Sequence, residues 1–214
     1  MKVLVIGATG ATGKDLIQEL ILEPKITEIV AFVRRSGNVE HPKLKNIVVD
    51  FDQPESWSTL VSGDAAFSCM GTTLKDAGSK EVQRKIDYDY QYNFAKYARE
   101  NNVKQFILVS ATGANAKSAI FYTRLKGELE DAIKLLDFES TTIFQPGMLE
   151  RENSNRFGEK LALKIVKSIN ALGLLKKQRP LPTKLLAKAM VKSSFENSIG
   201  VKYLRLNEIH DYIN

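Results

Sequence analysis

The chain opens on Val3-Leu4-Val5-Ile6 and then places glycines at Gly7, Gly10 and Gly13. Four consecutive apolar residues make a buried strand. Glycines three apart let the backbone turn sharply and bring its N–H groups close to a ligand with no Cβ in the way. The next stretch, residues 12–23, has Leu16, Ile17, Leu20 and Ile21 at helical spacing. A helix that starts in a glycine turn points its positive end and unpaired N–H groups at whatever occupies the turn. A pyrophosphate suits that position. A glycine motif between a strand and an amphipathic helix is far more specific than one standing alone.

Bulk properties set the frame. A chain of 214 residues with no composition break is expected to form one domain, 1–214. Its 43% apolar and 26% charged residues suit a globular core. No apolar run approaches the ~18 residues that span a bilayer, so no membrane role is expected. One cysteine, Cys69, precludes an intrachain disulfide and points to a reducing, cytoplasmic setting. The short apolar start runs straight into the glycine turn and does not read as a secretory leader. Two histidines and one cysteine leave little for a metal site. The net charge of +6 comes from dispersed lysines. The densest cluster, Lys176-Lys177-Gln178-Arg179, is too short for a nucleic-acid groove. Nothing in the pattern fixes an oligomeric state, and an oligomer is compatible with it.

Strand patterns at 3–6, 28–33, 46–49, 65–69, 106–110 and 141–144 alternate with helical patterns at 12–23, 54–61, 80–100 and 118–136. Such alternation predicts an α/β fold, a doubly wound parallel (Rossmann) sheet with helices on both faces. Asp52, Pro54 and Glu55 read as the N-cap and first turn of the helix at 54–61. After Pro146 the alternation breaks. Helices near 157–169 and 183–194 and a strand near 202–206 are expected there, with about 147–195 forming a small substrate cap. In such sheets ligands lie beyond the carboxyl ends of the strands, so functional residues should follow strands.

The second strand sharpens the ligand. An NAD site usually carries an acid about 20 residues past the glycines to hold the ribose 2′-OH. Here Arg34 and Arg35 stand in that region. Guanidinium groups suit a 2′-phosphate, so the expected cofactor is NADP (NADPH). Asp50, with Phe51 beside it, ends the third strand, where the adenine edge should lie. Asp50 would hold either the adenine amino group or its own turn. After the fourth strand, Cys69-Met70-Gly71-Thr72-Thr73 gives a small-residue loop that can pass close to the riboses. Cys69 reads as a small buried hydrophobe, not a nucleophile.

Tyr122 and Lys126 stand four apart on a predicted helix and so share a face. An ordinary tyrosine is a poor acid–base at pH 7, and a neighbouring ammonium favours its phenolate. Ser110 ends the preceding strand and could hydrogen-bond a substrate carbonyl. Tyr92 and Lys96 form a second pair at the same spacing. They lie mid-helix before that strand, where packing is the better role.

Together these residues resemble the short-chain dehydrogenase/reductase superfamily, and within it the atypical branch around the Tat-interacting oxidoreductase-like proteins. Gly7-Ala8-Thr9-Gly10-Ala11-Thr12-Gly13 resembles their cofactor turn, residues 69–73 their loop after the fourth strand, and Ser110, Tyr122 and Lys126 their catalytic set. Gln145-Pro146-Gly147 resembles the turn whose backbone faces the nicotinamide, with Met148 next to it. The likeness is clear to about Gly147 and loose beyond. It implies that Lys126 also binds the nicotinamide ribose. Extended members place an asparagine where this chain has Asp87, which would hold a relay water while adding negative charge near a tyrosinate.

The expected function is NADPH-dependent reduction of a small-molecule carbonyl. The alternatives are an NADPH-sensing regulatory or scaffold protein with little turnover and, third, a nucleotide-sugar epimerase or dehydratase. Phe121, Met148, Leu149 and Phe157 are candidate pocket walls.

Overall fold

The computed structural model describes residues 1–35, 39–150, 180–196 and 198–213. Its strands are β1 (Lys2–Ile6), β2 (Glu28–Val33), β3 (Leu44–Val48), β4 (Ala65–Ser68), β5 (Gln105–Val109), β6 (Ser140–Gln145), β7 (Leu149–Glu150), β8 (Leu181–Pro182) and β9 (Gly200–Arg205). Its helices are α1 (Ala11–Leu22), α2 (Leu74–Ala77), α3 (Lys80–Arg84), α4 (Tyr90–Glu100), α5 (Phe121–Lys134), α6 (Thr183–Ser193) and α7 (Asn207–Asp211). Seven strands form one sheet in the order β3-β2-β1-β4-β5-β6-β9, and every pairing in it is parallel. The chain runs outward from β1 to β3, then returns to lay β4 against the other side of β1. That reversal opens a crevice at the carboxyl ends of β1 and β4. This is the doubly wound fold expected from the alternation.

The central strands β1, β2, β4 and β5 are apolar over most of their length and buried on both sides of the pleat, as a sheet covered on both faces requires. Val3, Val5, Ile107 and Val109 pack with Leu16, Ile17 and Leu20 of α1. Leu4, Ile6, Phe106 and Leu108 face the other way and pack with Phe94 and Ala98 of α4 and with Leu129 and Ile133 of α5. Aromatic rings thicken this second layer: Phe32 lies 5.7 Å from both Trp57 and Phe94.

Three local expectations change. The third strand runs over Leu44–Val48, starting and ending earlier than 46–49. Residues Pro54–Leu60 form a 3-10 helix capped by Gln53, not an α-helix capped by Asp52. The Asp52 carboxylate is engaged elsewhere, accepting from the Tyr90 hydroxyl and pairing with Lys85 at 2.7 Å. The helix expected over 80–100 is interrupted by a π turn at Lys85–Asp89 between α3 and α4. This extra-residue turn carries Asp87, which is fully buried.

The C-terminal part differs most. Residues 183–193, expected within a cap, form α6 and pack beside α1. Leu186, Ala187 and Met190 are fully buried with Leu16 and Leu20. The late strand, β9, extends the main sheet beside β6. Helix α6 belongs to the core because its apolar face completes the layer that α1 alone leaves short, and β9 adds Leu204 to it. The helix expected near 157–169 lies outside the described residues; in the described part of 147–195, α6 supplies core and Leu149 lines a cavity.

Leu186 tests this placement. Leu186→Ala is expected to lower unfolding stability by about 2–5 kcal/mol, the cost of a large-to-small change in a closed core, measured by urea denaturation. A loss under about 1 kcal/mol would contradict the core position.

Candidate functional site

β1 ends at Ile6, and Gly7 turns the chain with φ +79°. The Gly10 N–H donates to the Gly7 carbonyl at 3.0 Å, and α1 begins one residue later. No side chain caps α1, and its first turn holds no acid. Its first N–H groups therefore have no intrahelical acceptor and face the crevice. Packing makes the outer glycines obligatory. A Cβ on Gly13 would lie 2.0 Å from the Gly7 carbonyl oxygen, and one on Gly7 would lie 2.6 Å from the Met70 nitrogen. The turn is thus pressed against the segment that leaves β4. Its uncovered N–H groups and lack of acidic charge fit a diphosphate.

Two joined cavities extend from the turn. One, of about 650 Å³, is walled by Gly10, Ala11 and Thr12, by residues 69–73, and by Ser110, Phe121, Tyr122, Lys126 and Leu149. The other, of about 210 Å³, is walled by Gly7, Thr9, Phe32, Val33, Arg34, Ile86 and Tyr90. They share Gly10 and residues 69–72, so the trough crosses the end of the sheet at the switch point.

Arg34 lines the smaller cavity; Arg35 is exposed and does not. Asp50 is occupied by its own turn, accepting from the Asp52 N–H at 2.9 Å and from Gln53 Nε2 at 3.2 Å. Phe51 is buried behind the wall, its ring 5.3 Å from that of Tyr90. Burial and the bond to Asp52 push the Tyr90 phenol well above its ordinary range. Tyr90 therefore acts as a fixed neutral wall.

The loop after β4 is held from both sides. Cys69 Sγ donates to the Ile6 carbonyl at 3.2 Å, and burial pushes its thiol up to about 12. A thiol held there carries almost no thiolate at neutral pH. The Thr72 N–H donates to Asp87 Oδ1 at 2.8 Å, and Gln83 Nε2 donates to Asp87 Oδ2 at 3.4 Å. Asp87 thus anchors the backbone of this loop. A Cβ added at Gly71 would lie 3.6 Å from Asp87 Oδ1 and 3.8 Å from Lys126 Nζ. The carboxylate and the ammonium therefore flank one glycine.

The larger cavity brings Ser110, Tyr122 and Lys126 to one wall. Helix α5, which carries the last two, approaches the loop after β5 so closely that a Cβ on Gly127 would sit 2.2 Å from Ala116 N. Lys126 is 2% exposed, and among the described residues no hydrogen bond or ion pair engages its Nζ. Tyr122 is 40% exposed at the mouth. Ser110 is buried, and its hydroxyl donates to Oε1 of Glu130, one helical turn beyond Lys126. As arranged here, that hydroxyl offers the cavity lone pairs and no proton. The other Tyr–Lys pair packs: the Tyr92 ring stacks on Tyr88 at 5.9 Å, and Lys96 pairs with Glu100 at 3.8 Å.

Pro146, Gly147 and Met148 are not among the residues lining either cavity. The Pro146 carbonyl accepts from Thr112 N at 2.9 Å, and the Met148 carbonyl from Leu181 N at 2.9 Å. Phe157 lies outside the described residues. The wall residues that sequence reasoning missed include Ile86 and Tyr90, set by the π turn, and Asp76, Lys80 and Gln83. Glu130 was also missed, although its spacing from Tyr122 and Lys126 marks a shared stripe. Among the described residues no cluster of metal-binding side chains occurs.

Residues 7–164 match the NAD(P)H-binding family. The mitochondrial protein FMP52 of Candida albicans is 38% identical over 169 residues, covering 76% of this chain and 74% of that protein. Protein HTATIP2 of Rattus norvegicus is 34% identical over 173 residues, covering 78% of this chain and 71% of that protein. Among solved structures, the oxidoreductase ylbE of Lactococcus lactis superposes with a TM-score of 0.65 at 21% identity, covering 95% of this chain and 89% of that one. The mitochondrial naming of the FMP52 relatives overturns the cytoplasmic expectation. A lone cysteine precludes an intrachain disulfide and does not single out a compartment. With a glycine turn facing a helix N-terminus at the switch point, and relatives this similar over most of their length, the chain belongs to the NAD(P)H-binding Rossmann family and is a homologue of HTATIP2 and FMP52.

Proposed function

We propose that this protein is an NADPH-dependent oxidoreductase that reduces the carbonyl group of a small molecule. The observation that carries the reading is Lys126: a buried ammonium with no hydrogen-bond or ion-pair partner among the described residues, on the same cavity wall as Tyr122 and across from the uncapped start of α1. Burying an unpaired charge is costly, so a site of this kind is completed by a polar ligand. A cofactor ribose suits it.

The bound cofactor supplies a hydride to the carbonyl carbon. The protein's own residues do the rest. The first N–H groups of α1 hold the diphosphate. Arg34, at the wall of the smaller cavity, holds the 2′-phosphate, and no acid stands there to favour a free 2′-OH. Tyr122 gives its hydroxyl proton to the carbonyl oxygen as the hydride arrives, and solvent at the cavity mouth returns it. Lys126 stabilises the phenolate left on Tyr122 and binds the ribose hydroxyls. Asp87 limits how far the Lys126 charge reaches, and through Thr72 it fixes the loop beneath the riboses. Cys69 takes no part.

Three outcomes are expected. In thermal melts, NADPH at a hundred times its dissociation constant should stabilise the protein by about 2.7 kcal/mol. NADH at the same concentration should stabilise it less, and Arg34→Ala should erase the difference; equal effects of both cofactors on the unmodified chain would remove the NADP assignment. Tyr122→Phe should lower carbonyl-dependent NADPH oxidation by about 10²–10⁴-fold across a panel of aldehydes, ketones and quinones, with NADPH binding retained. Unchanged oxidation would refute this acid. Binding with no oxidation of NADPH by the unmodified chain on any carbonyl would favour a cofactor sensor. Iodoacetamide at pH 8 should label Cys69 in the folded protein far more slowly than in the unfolded chain; rapid labelling of the folded protein would contradict the protonated thiol held on the Ile6 carbonyl.

A further inference from the structure

The Ser110 hydroxyl is tied into a buried polar chain that runs away from the cleft. Its Oγ donates to Glu130 Oε1. Gln145 Nε2 donates to both Glu130 oxygens, at 2.9 Å and 3.0 Å. Gln145 Oε1 in turn accepts from Arg205 Nε at 3.0 Å. Arginine can only donate, so the Gln145 amide is forced to present its oxygen to Arg205 and its NH₂ to Glu130. Both Glu130 oxygens are therefore acceptors on the Gln145 side, and among the described residues Ser110 is the remaining partner to which a proton on Oε1 could be given.

We infer that Glu130 is a positioning residue that decides whether Ser110 presents a hydrogen-bond donor or only lone pairs to the cleft. With Glu130 ionised, the Ser110 proton is held on the carboxylate and the cleft meets lone pairs. With Glu130 protonated, the bond reverses. Glu130 donates to Ser110, and the hydroxyl hydrogen turns into the cleft, where a carbonyl oxygen gaining charge would take it. The consequence for turnover rests on the reductase reading; the Ser110–Glu130 coupling does not. The switch sits in a mixed field. Lys126, Asp131 and Lys134 flank Glu130 on its own helix. Tyr203 and Arg205 approach from β9, and β5 and β6 contribute the neutral Ser110 and Gln145. Burial pushes the Glu130 carboxyl above its ordinary range, against the opposing pull of the Gln145 and Ser110 hydrogen bonds. Its protonated form is thereby brought closer to neutral pH.

The test has two arms. In the first, NADPH-dependent reduction of nitrobenzaldehyde is followed against pH for the unmodified chain and for Glu130→Gln. The side-chain amide of the variant can donate to Ser110 through its NH₂ and accept from Gln145 through its oxygen alone, so it reproduces the donor that the protonated state offers Ser110. The unmodified chain should lose kcat about tenfold per pH unit above the Glu130 midpoint, with KM little changed, and Glu130→Gln should lack that limb. A variant that loses activity equally at every pH, or keeps the same profile, overturns the inference. The second arm needs no turnover. The infrared band of the protonated Glu130 carboxyl, identified by its absence in Glu130→Gln, is titrated in the unmodified chain and in Ser110→Ala. Loss of the serine donor should raise the midpoint by about one pH unit, since a hydrogen bond to a charged group is at stake. An unmoved midpoint overturns the inference. A chain that reduces no carbonyl yet shows the raised midpoint refutes the reductase reading and supports the coupling.

Discussion

The close approach of the glycine turn to the segment leaving β4 governs the rest of this structure. Gly13 lies against the Gly7 carbonyl, and Gly7 lies against the Cys69–Met70 peptide, at distances no side chain could occupy. That contact sets where α1 starts and how near its unpaired N–H groups come to residues 69–72. Both cavities share this border. Moving the turn outward by the width of a methyl group would separate the diphosphate end of the trough from the loop that forms its floor. The chain meets this demand where a parallel sheet allows it, beyond the carboxyl ends of two adjacent strands whose connections leave in opposite directions.

The layers were legible in the sequence because burial on both faces of a parallel sheet leaves unbroken apolar strands, such as Val3 to Ile6 and Glu28–Val33, separated by helices with one apolar stripe. The glycine turn and Arg34 were legible for the same kind of reason: each sits at a strand end, and position there carries chemical meaning. The role of 183–193 was not legible. An amphipathic helix buries its stripe against whatever is available, and the sequence does not say whether that is a ligand crevice or α1. Nor could helical periodicity reveal the π turn. One added residue rotates everything after it, and this brings Ile86 and Tyr90 to the trough and turns Asp87 inward. Nothing in its spacing singles out Glu130, since a lysine and a glutamate four apart on a helix usually form a solvated pair. Here both are buried, and Glu130 bonds to Ser110 and Gln145 instead.

Asp87 shows how a substitution that looks unfavourable can be absorbed. Read from the sequence, a carboxylate in place of an asparagine adds charge beside a residue expected to become a phenolate. In the structure that carboxylate accepts a backbone N–H from the cofactor loop and lies across Gly71 from Lys126. An asparagine could accept the Thr72 bond through its side-chain oxygen. The carboxylate accepts on both oxygens, from the Thr72 N–H and from Gln83 Nε2, so it is spent on anchoring the loop.

Helix α5 ties these elements together. Tyr122, Lys126 and Glu130 follow one another at four-residue intervals along one stripe, yet each meets a different medium: the open mouth, the buried cleft wall, and the polar chain behind Ser110. The gradient follows from geometry. The helix enters at the exposed end of the trough and descends beside β5, with Gly127 allowing it to lie against residues 115–116. A residue that exchanges protons with solvent belongs at the top of that descent. One whose charge must act at short range belongs deeper, where the dielectric is lower. Exposure is 40% at Tyr122, 2% at Lys126 and 5% at Glu130, so a single helix axis sets one group at the mouth and draws the other two inward, one to the cleft wall and one behind the serine.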